Sequence, residues 1–379
     1  MNIGFIINFS KNDWIGGYNY YLHLISSLKK FEKNNVNPII IVDKKERILQ
    51  NKELNNFEYR VCAYFSNSNS YLRIFNKLLI IIFGKSFLYE KFFAKNKIDI
   101  ISHSHFAGRN SSVKSYPWFP DFQEYFYPKF FSKYKIILRK LNLFLAIIHS
   151  KKIIVSSRSA LKDLKKISLR AFKKSEILIH TNRLIKPSEI YSSNYIKKKY
   201  NIKKNFFLLP NHYWMHKNHL VVLKALKVIR NKNFQIISTG TTSDHRNKKH
   251  FNYILKYIED NNIGEFYKIL GLIPERDFNS LIKCSLGVIN PSKFEGWGNS
   301  GDKAIIFGKP AILSNIGPHR ELSGKIFFFS PNDHYKLAKI LFYLSKKIFF
   351  NKNYSFEYKK NQLKTKKFIK NYLRIIKKS

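Results

Sequence analysis

Short runs of consecutive apolar residues alternate with helical periods in the first half of the chain. We predict strands at residues 3–8, 38–42, 98–102, 152–156 and 176–180. Each run is continuous, which is typical of strands buried on both faces of a parallel sheet. Gly16 and Gly17 follow the first strand and are predicted to lie in a loop. The helix predicted next has apolar residues at i, i+3, i+4 and i+7: Tyr21, Leu24, Ile25 and Leu28.

The same alternation restarts after a polar stretch at residues 183–204, which we interpret as a linker. Strands are predicted at residues 205–209, 235–238, 267–270, 286–289, 311–313 and 325–329. Two successive βα series predict two doubly wound, Rossmann-like α/β domains facing a cleft, with ligands at the carboxyl ends of the strands. The predicted boundaries are 1–183 for the first domain, 184–204 for the linker, 205–345 for the second domain and 346–379 for a basic helical tail.

Composition narrows the class of protein. Apolar residues make up 44% of the 379 residues, which excludes a disordered chain. Cys62 and Cys284 are the two cysteines, which excludes a disulfide framework or a Cys-rich zinc module and suits a reducing compartment. The start has no basic region or small-residue cleavage site, so we expect no signal peptide. No apolar stretch reaches the roughly 18–20 residues that span a bilayer. We expect a cytoplasmic protein.

The net charge of +45 has two explanations that the sequence leaves open. A polyanionic partner, such as an anionic membrane, a phosphate-rich substrate or nucleic acid, would select it. An AT-rich genome would produce it too, because 56 of the 69 basic residues are Lys and they are spread along the chain. Arg reads bases in nucleic-acid-binding proteins and is scarce here, which disfavours nucleic acid.

Two segments have the pattern of basic amphipathic helices. Residues 71–96 contain the longest apolar run, residues 78–83, among several Lys, and residues 135–148 are similar. Such helices can lie on an anionic membrane, which would place the protein peripherally on the inner face of the cytoplasmic membrane. The alternative is that both are core helices whose Lys side chains extend to solvent.

The most informative segment follows the predicted strand at residues 286–289. A glycine-rich turn leads into a helix that begins near Asn299, and free amides at a helix start bind anions such as a diphosphate. Glu295 precedes the helix and could accept hydrogen bonds from sugar hydroxyls. The alternative is a plain tight turn.

A second segment, residues 210–220, connects a strand to a helix. Lys217 falls near the helix start, where it could neutralise a phosphate as a point charge. His216 and His219 are predicted to cap or pack. No Asp-x-Asp, His-Glu-x-x-His or Cys-pair pattern occurs, so we expect no metal. The spacing around Gly16 and Gly17 is not Gly-x-Gly-x-x-Gly, which argues against an NAD enzyme.

Together these segments resemble the GT-B glycosyltransferases of the large retaining class called family four. The resemblance covers nearly the whole chain and is clearest over residues 208–321. It implies that the first domain is the acceptor side and that the second binds a nucleotide sugar. Lys217 falls on the family's diphosphate-binding Lys, and Glu295 on the first Glu of its Glu-x7-Glu motif, which contacts the donor sugar. Asn299 and Ser300 fall where backbone amides meet the diphosphate.

The resemblance extends to the first domain. Residues 14–21, with Gly16 and Gly17, resemble the family's amino-terminal glycine loop, which admits the phosphates. Residues 118–123 resemble an acceptor-side loop of one subgroup, and Asp121 is the catalytic candidate there.

Three positions depart from the family pattern. The second Glu of Glu-x7-Glu, which holds the ribose, falls on Lys303, with Asp302 beside it as a replacement if the helix rotates slightly. An Arg five residues before the phosphate Lys falls on His212. A His common in the acceptor-side loop is not found, and Glu124 follows Gln123.

The resemblance implies a retaining glycosyltransferase that needs neither metal nor cofactor. It would move a sugar from a nucleotide-diphosphate donor to an envelope glycan or a lipid-linked acceptor. The expected catalytic residues are Glu295, Lys217 and Asp121, and the expected donor-binding residues are Gly16, Gly17, His212, Asn299, Ser300, Asp302 and Lys303. The alternatives are a non-catalytic relative that binds sugar nucleotide or membrane and, less favoured, a nucleic-acid-binding protein.

Overall fold

The chain forms two compact units, which we call unit 1 and unit 2. Unit 1 comprises Met1–Thr181 and Lys364–Ser379, and unit 2 comprises Asn182–Leu363. The computed structural model describes residues 1–9, 14–49, 53–66, 70–103, 107–183, 185–230, 232–244, 247, 249–347 and 354–377. Residue 184 of the predicted linker and residues 348–353 and 378–379 of the predicted tail lie outside this description.

The described part of unit 1 contains one sheet of seven parallel strands. The strands are β1 (Asn2–Ile6), β2 (Asn37–Val42), β3 (Tyr59–Val61), β4 (Ile100–His103), β5 (Lys114–Phe119), β6 (Ile153–Val155) and β7 (Ser175–Ile177). Their order in the sheet is β3-β2-β1-β4-β5-β6-β7. The helices are α1 (Ile15–Phe31), α2 (Glu46–Leu49), α3 (Ser70–Phe83), α4 (Phe87–Lys95), α5 (Gln123–Phe126), α6 (Lys133–His149), α7 (Arg158–Ile167) and α8 (Leu169–Lys174).

Both faces of this sheet are buried, as the continuous apolar runs predicted. Ile3 and Phe5 of β1 pack into one core cluster, whereas Ile6 packs into another with residues of β2 and α4. Successive strand residues point to opposite faces, so a strand with both faces covered must be apolar throughout.

The first turn of α1 corrects the predicted loop at Gly16 and Gly17. The helix begins at Ile15, so both glycines are helical. A Cβ at Gly17 would overlap the indole ring of Trp14, whereas a Cβ at the exposed Gly16 would make only an ordinary contact, 3.9 Å from Trp14 Nε1. Gly17 is therefore required by the packing of Trp14 on the helix start.

The described part of unit 2 contains a second, entirely parallel sheet of six strands. The strands are β8 (Asn205–Leu209), β9 (Phe234–Ser238), β10 (Tyr267–Ile269), β11 (Gly287–Asn290), β12 (Ala311–Ser314) and β13 (Ile326–Phe329). The helices are α9 (Ser193–Lys199), α10 (His219–Val228), α11 (His250–Asp260), α12 (Glu275–Cys284), α13 (Asn299–Ile306) and α14 (His334–Ser345), and α15 (Tyr354–Lys377) begins in unit 2 and ends in unit 1. The predicted pair of Rossmann-like sheets is thus confirmed.

The strand order of unit 2 is β10-β9-β8-β11-β12-β13. The order reverses between β8 and β11, which lie side by side although they are far apart in sequence. A crevice opens outside the carboxyl ends of two such strands. Two loops follow these ends, after Leu209 and after Asn290.

The structure divides the chain differently at the predicted linker and tail. The linker region contains α9 and belongs to unit 2, where Ile196 is buried. The part of α15 from Lys364 onward belongs to unit 1. It packs six apolar side chains into the same core cluster as Ile3 and Phe5: Phe368, Ile369, Tyr372, Leu373, Ile375 and Ile376.

Candidate active site

The two loops at the carboxyl ends of β8 and β11 are tied together by hydrogen bonds. The Lys293 backbone N–H donates to the His216 carbonyl oxygen (2.8 Å). The Asn218 amide Nδ2 donates to the Pro291 carbonyl oxygen (3.0 Å), and Asn218 itself has a left-handed backbone (φ 59°) that ends a short turn and starts α10. These contacts fix Lys217 against the segment that carries Glu295.

Lys217 and Glu295 form an ion pair at this point. Lys217 Nζ lies 2.7 Å from Glu295 Oε1, and the side chains are 14% and 13% exposed. The same carboxylate oxygen accepts from Ser292 Oγ at 2.7 Å and from Asn290 Nδ2 at 3.3 Å. The two residues that the sequence singled out most strongly are therefore in direct contact.

The Glu295 carboxyl is held in its charged form. Burial raises its pKa, but the opposing effects of the Lys217 ammonium and the Ser292 hydroxyl outweigh burial and lower the pKa to about 2. An ionised carboxylate accepts hydrogen bonds and donates none. Glu295 is thus suited to hold the hydroxyl groups of a sugar.

The start of α13 provides backbone donors beside this pair. Gly298 precedes the helix with φ 95°, and Ser300 Oγ accepts from Asn290 Nδ2 (3.0 Å). The first N–H groups of a helix have no acceptor within the helix, which applies here to Asn299 and Ser300. The positive end of the helix dipole adds to the attraction for an anion.

His319 lies under the glycine turn and was missed by the sequence reasoning. Its Nδ1 donates to the Ser314 carbonyl oxygen (2.8 Å), which leaves Nε2 as the acceptor. That Nε2 is buried and has no hydrogen-bond partner within the described chain. Burial lowers the pKa of His319, so the ring is neutral. A Cβ at Gly298 would lie 2.6 Å from the ring, which explains the glycine. The available signal was the Gly-Pro-His turn after the strand at residues 311–313.

His212 also lies near the pair and is neutral. Its Nδ1 accepts from the Thr241 backbone N–H (3.0 Å), which leaves Nε2–H as a donor. Burial, with a smaller contribution from Lys217, lowers its pKa to about 4. At the position where the family resemblance implies the fixed charge of an Arg, this chain therefore has an uncharged donor.

Asp302 and Lys303 are both engaged within unit 2. Asp302 Oδ2 accepts from Asn182 Nδ2 at 2.7 Å. Lys303 Nζ lies 3.5 Å from Glu275 Oε1 and 4.9 Å from the centre of the Phe278 ring. A rotation that turned Asp302 towards a ribose would have to break its bond to Asn182.

The two other histidines of the segment after β8 pack, as predicted. His219 is buried, stacks on Tyr213 with ring centres 4.1 Å apart, and makes a 3.2 Å hydrogen bond to the Asn211 carbonyl oxygen. His216 is buried as well. Across the described ranges, no group of three or more His, Cys, Asp and Glu side chains is placed to hold a metal ion.

The remaining predicted residues lie in unit 1. Asp121 Oδ1 accepts from the Gln123 backbone N–H (3.2 Å), so this carboxylate closes the turn that leads into α5. Glu124 pairs with Arg139 at 2.6 Å. Gly16 and Gly17 lie in α1, as described above. The structure thus groups Lys217, Glu295, His212, Asn299 and Ser300 in unit 2.

Unit 1 has a buried histidine at the carboxyl end of β4 that the sequence reasoning also missed. His103 has φ 71°, and its Nε2 lies 2.8 Å from the Tyr20 hydroxyl. Tyr20 stacks on Trp118 with ring centres 4.2 Å apart, and Trp118 stacks on Trp14. Burial lowers the pKa of His103 to about 3. The sequence could have indicated His103, because it directly follows the predicted strand at residues 98–102.

Residues 193–355 match the family model described as Glycosyl transferases group 1. Among solved structures, the chain is similar to HepE from Anabaena, solved in complex with UDP and glucose, with 14% identity and a TM-score of 0.69 over 100% of this chain and 99% of that one. It is also similar to a glycosyltransferase from Rickettsia africae, with 18% identity and a TM-score of 0.68 over 100% of this chain and 99% of that one. The similarity to the lipopolysaccharide outer core galactosyltransferase WaaB has 14% identity and a TM-score of 0.63 over 99% of each chain. No curated protein sequence matches significantly.

The two parallel sheets, the strand order in each and the full-length superpositions agree on one fold. The family match covers the part of the chain that holds Lys217, Glu295 and the start of α13. The protein is a glycosyltransferase with the GT-B fold, and its residues 193–355 match the model of the glycosyl transferases group 1 family.

Proposed function

We propose that the protein transfers a sugar, with retention of configuration and without a metal or cofactor, from a nucleotide-diphosphate donor to an envelope glycan or a lipid-linked acceptor. One observation carries this proposal: the buried Lys217–Glu295 pair lies beside the N-terminal turn of α13. A cation and free amides suit a diphosphate, and a carboxylate held ionised suits sugar hydroxyls.

The roles follow from the charge that develops when the bond from the sugar to the diphosphate breaks. Negative charge accumulates on the leaving diphosphate, and donors fixed in advance stabilise it without reorganisation. Lys217 and the amides of Asn299 and Ser300 supply these donors, and His212 Nε2–H adds a neutral one. Glu295 orients the sugar. In this arrangement protein groups supply the positive charge that a metal ion supplies in other sites.

The similar solved structures guide the choice of substrates to test. HepE was solved with UDP and glucose, so UDP-glucose is the first donor to test. WaaB is described as a lipopolysaccharide outer core galactosyltransferase, which supports an envelope acceptor. We place the reaction at the cytoplasmic side of the envelope, where sugar nucleotides are made.

Calorimetry with UDP-glucose and other UDP-sugars tests the donor site. We expect Lys217→Ala to weaken donor binding by roughly 10- to 100-fold, since charge-assisted contacts contribute about 1.5–3 kcal/mol. The matched control is Lys293→Ala, which removes an exposed Lys from the loop after β11 and should leave binding unchanged. Equal donor affinity in the wild type and Lys217→Ala would remove Lys217 from the site.

Turnover separates the enzyme from a non-catalytic relative. We expect slow donor hydrolysis in the absence of acceptor, undiminished by EDTA, with the released sugar initially in the anomeric configuration of the donor. Donor binding without any hydrolysis or transfer would favour the non-catalytic alternative. Inhibition by EDTA or an inverted anomer would refute metal independence or retention.

A further inference from the structure

Helix α3 exposes an apolar face. Six residues at spacings of i, i+3, i+4, i+7, i+10 and i+11 are between 45% and 87% exposed: Tyr71, Ile74, Phe75, Leu78, Ile81 and Ile82. The opposite side of the helix is the buried one, with Asn76 and Ile80. The helix therefore packs through one side and presents a second, larger apolar side to solvent.

Helix α6 has a similar face. Tyr134, Ile137, Leu141 and Phe144 recur every three or four residues and are between 40% and 69% exposed. Leu143, Ala146 and Ile147 of the same helix are buried. The interpretation of both segments as ordinary core helices therefore accounts for only one side of each.

The two helices are neighbours. Lys77 Nζ of α3 donates to Asn142 Oδ1 of α6 at 3.1 Å. We call the ten exposed side chains of the two faces the α3/α6 surface. An exposed apolar area contributed by two adjoining helices is more than the scattered apolar residues of an ordinary surface, and such areas mark sites of interaction.

The charges around the α3/α6 surface identify its partner. Neither helix contains an Asp or Glu. Lys133, Lys135 and Lys140 of α6 are exposed, and Lys77 lies between the helices. Apolar side chains bordered by Lys, on two helices that carry no acidic residue, match the boundary between acyl chains and anionic headgroups. A second copy of the chain would bring the same Lys residues face to face, which is unfavourable.

We propose that the α3/α6 surface docks on an anionic lipid bilayer. The apolar side chains enter the headgroup region, and the Lys residues contact lipid phosphates. The docking goes beyond the proposed function and does not depend on catalysis, whereas its benefit, access to a lipid-linked acceptor, rests on that function. The described residues contain no helix both long and apolar enough to cross a membrane.

Co-sedimentation of the full chain with vesicles tests the proposal. We expect binding to vesicles of phosphatidylglycerol and phosphatidylethanolamine but not to pure phosphatidylcholine, and weaker binding at 0.5 M NaCl because salt screens the Lys residues. The triple variant Ile74→Ser/Leu78→Ser/Ile137→Ser should lower the affinity for anionic vesicles at least tenfold. The double variant Lys133→Gln/Lys140→Gln should lower it at low salt.

The matched control removes exposed apolar side chains from unit 2. Tyr253, Leu255 and Leu272 are 53%, 42% and 57% exposed, and their triple Ser variant should bind vesicles like the wild type. Donor affinity and melting temperature should be unchanged in every variant, so that loss of docking is distinguished from loss of the donor site. Wild-type vesicle binding by the α3/α6 triple variant, or equal loss in the control, would overturn the proposal. A dimer in sedimentation velocity that the α3/α6 triple variant abolishes would assign the surface to a second copy instead.

Discussion

At the scale of single residues, Lys217 and Glu295 each compensate for the burial of the other. We expect Lys217→Met to cost about 3–5 kcal/mol of unfolding free energy, because it leaves a buried carboxylate without its cation. The double variant Lys217→Met/Glu295→Gln should recover most of that stability without recovering donor binding. Urea unfolding and calorimetry measure the two quantities separately. A single variant as stable as the wild type would show that the pair is not buried as described.

The Lys303–Glu275 contact determines what a reversion to the family pattern would do. Lys303→Glu alone should destabilise unit 2 at neutral pH, because it places two carboxylates close together. Adding Glu275→Gln should remove the repulsion and, if the family's ribose contact is re-formed, tighten UDP binding severalfold. Asp302→Asn should raise the donor Kd severalfold with little change in Tm if Asp302 holds the ribose. Donor affinity unaffected by all three changes would place the ribose elsewhere.

Sequence reasoning found the residues whose neighbours in the chain form a pattern. Lys217 and Glu295 lie in loops with a recognisable spacing, and they meet as expected. Glu275 has no such pattern around it, and its partner Lys303 comes from another helix. A contact that depends on the folded sheet cannot be read from the spacing of either partner.

At the scale of elements, strands with buried faces were predictable and the irregular ones were not. β3 has only three residues and is partly exposed, and β5 carries Lys114, Ser115 and Pro117 in its six residues. Neither has a continuous apolar run. Gly16 and Gly17 favoured a loop on local preference, but Trp14 packs on Gly17 and the helix starts before it.

The two glycines of α1 form a matched pair for mutation. Gly16→Ala should keep or raise stability, by up to about 1 kcal/mol, because Ala favours helix and the added methyl group meets Trp14 only at ordinary contact distance. Gly17→Ala should lower stability and change tryptophan fluorescence, because the added methyl group displaces the Trp14 indole from its stack on Trp118. Thermal melts with fluorescence emission measure both effects. Identical behaviour of the two variants would contradict the packing of Trp14.

Helix α15 was predicted as a separate basic tail because its many Lys residues obscure the apolar positions. Ile369 is 1% exposed in the core of unit 1, so Ile369→Ala should cost about 2–5 kcal/mol. Leu363 on the same helix is 68% exposed, and Leu363→Ala should change stability by less than about 0.5 kcal/mol. Chemical denaturation compares the two. Similar losses in both variants would mean that the helix is not packed as described.

At the scale of the whole molecule, buried neutral histidines make stability depend on pH. The pKa values of His103 and His219 are lowered to about 3 and that of His212 to about 4, mainly by burial, from 6.5. Below pH 6.5 these histidines bind protons in the unfolded chain but remain neutral in the folded one. The free energy of unfolding therefore falls as the pH falls. Each group contributes at most about 1.4 kcal/mol per pH unit.

Urea unfolding from pH 7 to pH 5 measures this dependence. We expect the midpoint to fall steadily and His219→Gln to give a shallower slope, because one titrating group is removed. Lowering the pH further should add the loss from Glu295, because the stability that its depressed pKa contributes is complete above the pKa of the unfolded carboxyl and is lost progressively as the pH falls towards about 2. A midpoint independent of pH would contradict the burial of these side chains.

Because the end of α15 belongs to unit 1, the two units cannot be completed in the order in which they are translated. Strand β1 of unit 1 is translated before unit 2, whereas the part of α15 that packs into the same core, from Lys364 onward, is translated after unit 2. In a nascent chain, unit 1 therefore lacks the α15 side chains that cover its apolar core around Ile3 and Phe5 while unit 2 is synthesised. Domains usually mature from the amino terminus as they leave the ribosome. Of these two units, the one translated earlier is therefore completed later, and part of its apolar core is uncovered in the interval.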